Sequence, residues 1–127
     1  MKKKVLIADD DPGIRDIFTL IFEKAGYIIE LKSNGDDLFK NKFNLPHLFL
    51  IDKQLSGTDG IDICRYLKSQ KLTKDIPVVM ISASPDIGRL SREAGADAYL
   101  EKPFEVKELL EVVRHHTHQD EEKEDAA

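Results

Sequence analysis

Four places in this chain of 127 residues hold side chains able to do chemistry. Asp9, Asp10 and Asp11 run together, Asp52 and Ser82 each close an apolar stretch, and Lys102 precedes Pro103. This set has carboxylates, a hydroxyl and an ammonium but no His or Cys donor, so any metal it holds would be a hard cation. A few carboxylates completed by water and phosphate suit Mg²⁺ better than Ca²⁺. If Asp9, Asp10 and Asp52 converge, each like-charge pair costs roughly 3 kcal/mol at about 5 Å and an effective dielectric near 20. That is enough to raise a carboxyl pKa or to recruit a cation. With Mg²⁺ and Lys102 in place the three negative charges would be neutralised.

Taken singly, each group has an ordinary explanation. Aspartates after a strand often only cap the next helix, Ser82 is a strand-end hydroxyl, and Lys102-Pro103 reads as a solvated loop. Their weight comes from the elements that place them. Val5–Ala8, Leu48–Ile51 and Val78–Ile81 are short apolar runs rich in Val, Ile and Leu, which read as buried parallel strands. Tyr27–Leu31 and Ala98–Leu100 read as a second and a fifth strand.

Between them lie helical segments. Ile14, Ile17, Phe18, Ile21, Phe22 and Ala25 recur at spacings of three and four on one face. Asp11 caps that helix, Pro12 fills its first turn, and Gly26 stops it. Asp36–Lys42, Ile61–Lys68, Ile87–Ala94 and Val106–His115 supply four more helices. Strand then helix, five times, is the pattern of an open α/β sheet covered on both faces. Ligands bind such sheets beyond the carboxyl ends of the strands, where Asp9–Asp11, Asp52, Ser82 and Lys102 all fall.

Composition narrows the function classes. At 41% hydrophobic the chain can bury one core, which predicts one domain over residues 1–118 and a disordered acidic tail over 119–127. A net charge of -5 gives no general attraction to nucleic acid or to an anionic membrane. Only four apolar residues follow Met1-Lys2-Lys3-Lys4 before the aspartates, too few for a signal peptide. No apolar run reaches the roughly 20 residues that span a bilayer. Cys64 stands alone, so a reducing, cytoplasmic setting is expected. His115, His116 and His118 lie in a polar stretch and read as solvated rather than as metal ligands.

From about Lys4 to His115 the chain resembles the receiver domains of two-component signalling. Val5-Leu6-Ile7-Ala8-Asp9-Asp10-Asp11 is similar to the family's first strand and acidic pair. Leu50-Ile51-Asp52 with Asp59-Gly60 is similar to its phosphoacceptor strand and loop, and Met80-Ile81-Ser82-Ala83 and Tyr99-Leu100-Glu101-Lys102-Pro103-Phe104 complete the set. The resemblance implies a flavodoxin-like (βα)5 fold, doubly wound, with strand order 2-1-3-4-5. It implies that Asp52 takes a phosphoryl group from a sensor histidine kinase or a histidine phosphotransfer protein. Asp10, Asp52 and the backbone carbonyl of Gln54 would bind Mg²⁺, with Asp9 acting mostly through water.

By the same resemblance Lys102 pairs with the phosphoryl oxygens, Ser82 hydrogen-bonds to the phosphorylated product, Tyr99 turns inward, and Lys102-Pro103 is cis. The protein would catalyse only its own phosphorylation and dephosphorylation. Its output would be a change in the face built from the fourth helix, fifth strand and last helix, read by a downstream protein. A stand-alone receiver is expected, with neither nucleic acid nor membrane as partner.

Three departures from the family pattern stand out. Ser56 replaces the usual proline and is expected to loosen the loop after Asp52. Lys53 is atypical directly after the acceptor. The fourth helix is short and contains Gly88.

Three rival readings are weaker. An aspartyl phosphatase or phosphotransferase of the haloacid-dehalogenase type needs a second aspartate where this chain has Gln54, and a cap domain. A flavodoxin-like cofactor binder needs hydroxyls and glycines where Asp9, Asp10 and Asp11 would repel phosphate. An unphosphorylated receiver-like interaction module would have no use for the full set of Asp9, Asp10, Asp52, Ser82 and Lys102.

Overall fold

The computed structural model describes residues 2–118, so the acidic tail expected over 119–127 lies outside the described residues. Five strands, β1 (Lys4–Ala8), β2 (Ile28–Lys32), β3 (Leu48–Asp52), β4 (Val78–Ser82) and β5 (Ala98–Glu101), alternate with five helices. These are α1 (Pro12–Lys24), α2 (Asp36–Phe39), α3 (Gly60–Ser69), α4 (Ile87–Ala94) and α5 (Val106–Thr117). The strands form one sheet in the order β2-β1-β3-β4-β5, and every neighbouring pair is parallel. The flavodoxin-like order expected from the sequence is the one found.

Alternation along each strand builds the two sides of the sheet, because successive side chains point to opposite faces. Leu6 and Ala8 pack with Leu38, Ile63, Leu67 and Ile87 under α2, α3 and α4. Val5 and Ile7 pack with Phe18, Phe22, Leu109 and Val113 under α1 and α5. Central strands β3 and β4 are buried at every position, which is why they read as unbroken apolar runs.

The helix ends follow local chemistry. Asp11 accepts from the amides of Gly13 (2.9 Å) and Ile14 (3.3 Å), starting α1 at Pro12. Gly26, at φ 93°, turns the chain into β2. Of the apolar stripe on α1, Ile17 lies at the margin and is 52% exposed. Asp59 accepts from the amide of Ile61 and starts α3 at Gly60, one residue before the expected start. Helix α2 stops at Phe39, short of the expected Lys42, and Asn41 leaves it at a positive φ of 57°.

Helix α5 runs two residues past His115 because Thr117 is buried there. Its hydroxyl donates to Val113 O (2.8 Å) and meets Tyr27 Oη at 3.1 Å. Among the described residues no helix is long and apolar enough to cross a membrane.

Candidate phosphoacceptor site

The register of β1 with β3 pairs Ala8 with Ile51, so Asp9 and Asp52 come one step later, side by side at the carboxyl edge of the sheet. Both are buried, Asp9 at 3% and Asp52 at 7% exposure. Ser82 closes β4 and is buried as well. The turn after β5 brings back Lys102, whose amide donates to Ser82 O at 2.8 Å. The Lys102-Pro103 peptide is cis, as the resemblance implied.

Asp9, Asp10, Asp11, Asp52, Gln54 and Lys102 line one open cavity of about 270 Å³, together with Ile14 and Ala83. Asp52 has both oxygens engaged. Lys102 Nζ lies 2.9 Å from Oδ2, and the amide of Gln54 donates to Oδ1 at 2.8 Å. Ser82 Oγ accepts from the amide of Ser84 at 3.0 Å, which leaves the hydroxyl proton for another acceptor. Ser82 is not among the residues lining the cavity.

The expected crowding of carboxylates is felt at Asp9. Burial, together with the charge of Asp52, pushes the Asp9 carboxyl up to about 6 from an ordinary 3.8, while the amide of Asp11 at 2.9 Å and Lys102 pull the other way. Asp10 behaves oppositely. Its Oδ2 accepts from both the hydroxyl of Ser56 (2.5 Å) and the amide of Ser56 (2.9 Å), and the hydroxyl bond holds its pKa below the usual carboxylate range. Ser56 therefore ties the loop after Asp52 down, where its replacement of proline suggested a looser one.

Lys53 points elsewhere than the cavity and pairs with Asp59 at 3.1 Å. Between them lies a feature the sequence did not announce, a two-rung antiparallel hairpin joining Gln54–Leu55 to Thr58–Asp59. Gly60 follows it, and a Cβ there would stand 2.3 Å from Asp52 O, so only glycine lets α3 start this close to the end of β3.

The donor set fits a hard divalent cation. All the candidate ligands are oxygens, and Asp9 and Asp52 are buried together with their charge only partly neutralised by Lys102. Among the described residues no three His, Cys, Asp or Glu side chains are gathered into a metal-holding group, and Asp10 is held by Ser56 instead.

Tyr99, the expected switch aromatic, is 42% exposed on β5. Its ring lies over α4 at Gly88, where a Cβ would come within 3.0 Å of Cζ and of the hydroxyl. The site therefore contains every residue singled out from the sequence except Ser82 and Tyr99, which stand behind and beside it. Sequence reasoning missed the Asp10 contact of Ser56 and the close approach of Gly60.

The sequence profile of the response regulator receiver domain matches residues 5–114. The chain is similar to the DNA-binding response regulator MtrA of Mycolicibacterium smegmatis, 35% identical over 117 residues that make up 90% of this chain and 50% of that protein. It spans about half the length of the curated relatives it matches. Among solved structures it resembles a CheY-like response regulator receiver domain protein of Methanospirillum hungatei JF-1. That match has 31% identity and a TM-score of 0.81, covering 97% of this chain and 99% of that one. The BeF3-activated DrrB receiver domain is 26% identical with a TM-score of 0.80, covering 94% of this chain and 100% of that one.

Proposed function

This chain belongs to the response regulator receiver domain family, a family of phosphoacceptor signalling domains, and from that premise we propose that Asp52 is its acceptor. The observation that carries the proposal is the setting of that carboxylate. It is buried at 7% exposure, faces an open acid-lined cavity, and is held in a fixed orientation by Lys102 and the amide of Gln54. Phosphoryl transfer asks a protein mainly for positioning and charge neutralisation, and those contacts supply both.

In the proposed step an Asp52 oxygen attacks the phosphorus of a phosphohistidine. The O–P bond forms as the N–P bond breaks, and the leaving imidazole takes up a proton. Lys102 moves from Asp52 Oδ2 to the phosphoryl oxygens and offsets their charge. Asp10, Asp52 and the Gln54 carbonyl would hold Mg²⁺, with Asp9 acting through water; when bound, the ion would neutralise further phosphoryl charge.

The donor would be a sensor histidine kinase or a histidine phosphotransfer protein. An apolar groove of about 520 Å³, lined by Ile17, Phe18, Phe104 and Val106 among others, adjoins the cavity and shares Ile14, Ala83 and Lys102 with it. That continuity supports a macromolecular donor which covers the groove as it reaches Asp52.

The product would act as a switch. Ser82 moves toward the phosphoryl group and donates its hydroxyl proton to a phosphoryl oxygen, and Tyr99 leaves Gly88 for the space that Ser82 vacates. Hydrogen bonds to a charged group contribute about 1.5–3 kcal/mol each, so Ser82 and Lys102 together offer roughly 3–6 kcal/mol. A swing from 1:99 to 99:1 needs about 5.5 kcal/mol, so a large change of the α4-β5-α5 face is within reach. A downstream protein would read that face.

Titration with beryllofluoride and Mg²⁺, followed by amide NMR, tests the proposal. Resonances around Asp52, Ser82, Tyr99 and residues 87–94 should shift together at saturation. Shifts confined to a site away from Asp52 would sink the assignment.

A further inference from the structure

Two carboxylates flank the hairpin that follows Asp52, and the hairpin is pinned to both. At its start the amide of Gln54 donates to Asp52 Oδ1. At its tip, beside Gly57 with φ 74°, the amide and the hydroxyl of Ser56 both donate to Asp10 Oδ2. Each end therefore occupies an oxygen of a residue that the proposed function assigns to Mg²⁺.

We propose that Ser56 is a latch which holds Asp10 Oδ2 against the hairpin, so that coordination of a metal by that oxygen must first release two hydrogen bonds. Ser56 is here a positioning residue for the metal, and the proposal rests on the Mg²⁺-dependent reading above.

Three observations carry it. Both donors converge on one oxygen, Oδ2, at 2.5 and 2.9 Å, which holds that oxygen at the loop. The hairpin is braced on its far side by the Lys53–Asp59 pair and by the Gly60 amide on Lys53 O at 2.6 Å, so Asp10 is drawn to a fixed loop. Asp10 also lines the same cavity as Asp9, Asp52 and Gln54, so the latched carboxylate stands at the edge of the proposed metal site. A proline, the usual residue at this position in receivers, has neither the amide nor the hydroxyl proton. Serine supplies both, so this chain carries a competitor for its own metal ligand.

Release has a structural consequence. Once Asp10 turns to the ion, Ser56 loses its acceptor and the tip of the hairpin is freed, so the loop beside the acceptor reports whether metal is bound.

Mg²⁺ affinity measured by calorimetry at constant pH, without any phosphoryl donor, tests the latch in the wild type and in Ser56→Ala, Ser56→Thr and Ser56→Pro. Loss of one hydrogen bond to a charged oxygen corresponds to about a tenfold change. Ser56→Ala should therefore bind Mg²⁺ about tenfold tighter, Ser56→Pro at least as tightly, and Ser56→Thr, which keeps the hydroxyl, like the wild type. In wild-type spectra the Ser56 amide should move upfield as Mg²⁺ saturates. Unchanged or weaker binding by Ser56→Ala would overturn the latch, because Ser56 would then be presenting Asp10 to the ion. Equal affinity in all four proteins removes the latch and leaves the metal site standing, whereas no binding in any of them removes both. Should Ser56→Pro fail to fold, the alanine and threonine variants decide the matter.

Discussion

Replacing Asp9 by Asn should stabilise the metal-free protein at neutral pH and flatten its pH dependence. Burial, aided by the charge of Asp52, holds the Asp9 carboxyl at about 6 instead of 3.8. The folded state therefore binds this proton more tightly than the unfolded state does. Stability is highest where both states are protonated, below about pH 4. It falls as pH rises from about 4 to about 6, while only the unfolded state has ionised, and stays low above that. At about 1.4 kcal/mol per pH unit, the rise from 3.8 to about 6 costs roughly 3 kcal/mol at pH 7.5.

Asn removes that cost with little loss of structure, because its carbonyl oxygen can still accept from the amide of Asp11. Asp10 and Glu30 have lowered pKa values, so their contributions are lost only as pH falls below the ordinary carboxylate range. They cancel when variant and wild type are compared. Urea unfolding in chelator from pH 4.5 to 8 should show the wild type losing stability with rising pH. The variant should be about 1 kcal/mol more stable at pH 4.5 and up to about 3 kcal/mol more stable at pH 7.5. Parallel profiles at all pH values, or a less stable variant at pH 7.5, would refute the burial of an uncompensated charge at Asp9.

Millimolar Mg²⁺ should raise the melting temperature of the wild type. Asp10→Asn should lessen that rise without stabilising the metal-free protein, since its carboxylate is already satisfied by Ser56. Ser82→Ala should keep phosphorylation of Asp52 yet lose most of the phosphate-induced NMR shifts at Tyr99 and residues 87–94. Gly60→Ala should destabilise the fold by about 1–3 kcal/mol or more, read by urea unfolding, because the new methyl meets the Asp52 carbonyl and Lys53 Cα.

Those contrasts mark where the sequence was legible. The buried strands announced themselves as apolar runs because both faces of β3 and β4 are covered, and the bounds of α4 match the expected Ile87–Ala94. The rim of Asp9, Asp10, Asp52 and Lys102 was legible because strand ends in an open parallel sheet share one edge. What stayed hidden depends on contacts between distant segments. The last turns of α5 are set by Tyr27, ninety residues away from Thr117. Asp10 and Ser56 are 46 residues apart, so no local pattern links them, although serine in a proline position was the available signal. Convergence of Asp9, Asp10 and Asp52 was expected to raise carboxyl pKa values, and burial beside Asp52 does so at Asp9, whereas the hydroxyl of Ser56 holds Asp10 low.

Intact-mass spectrometry with peptide mapping, after incubation with acetyl phosphate and Mg²⁺, tests the central claim most directly. One added phosphoryl group should map to the peptide containing Asp52, disappear on treatment with hydroxylamine, and be missing from folded Asp52→Asn. A hydroxylamine-resistant adduct, or labelling of folded Asp52→Asn equal to that of the wild type, would contradict the assignment of Asp52 as the phosphoacceptor.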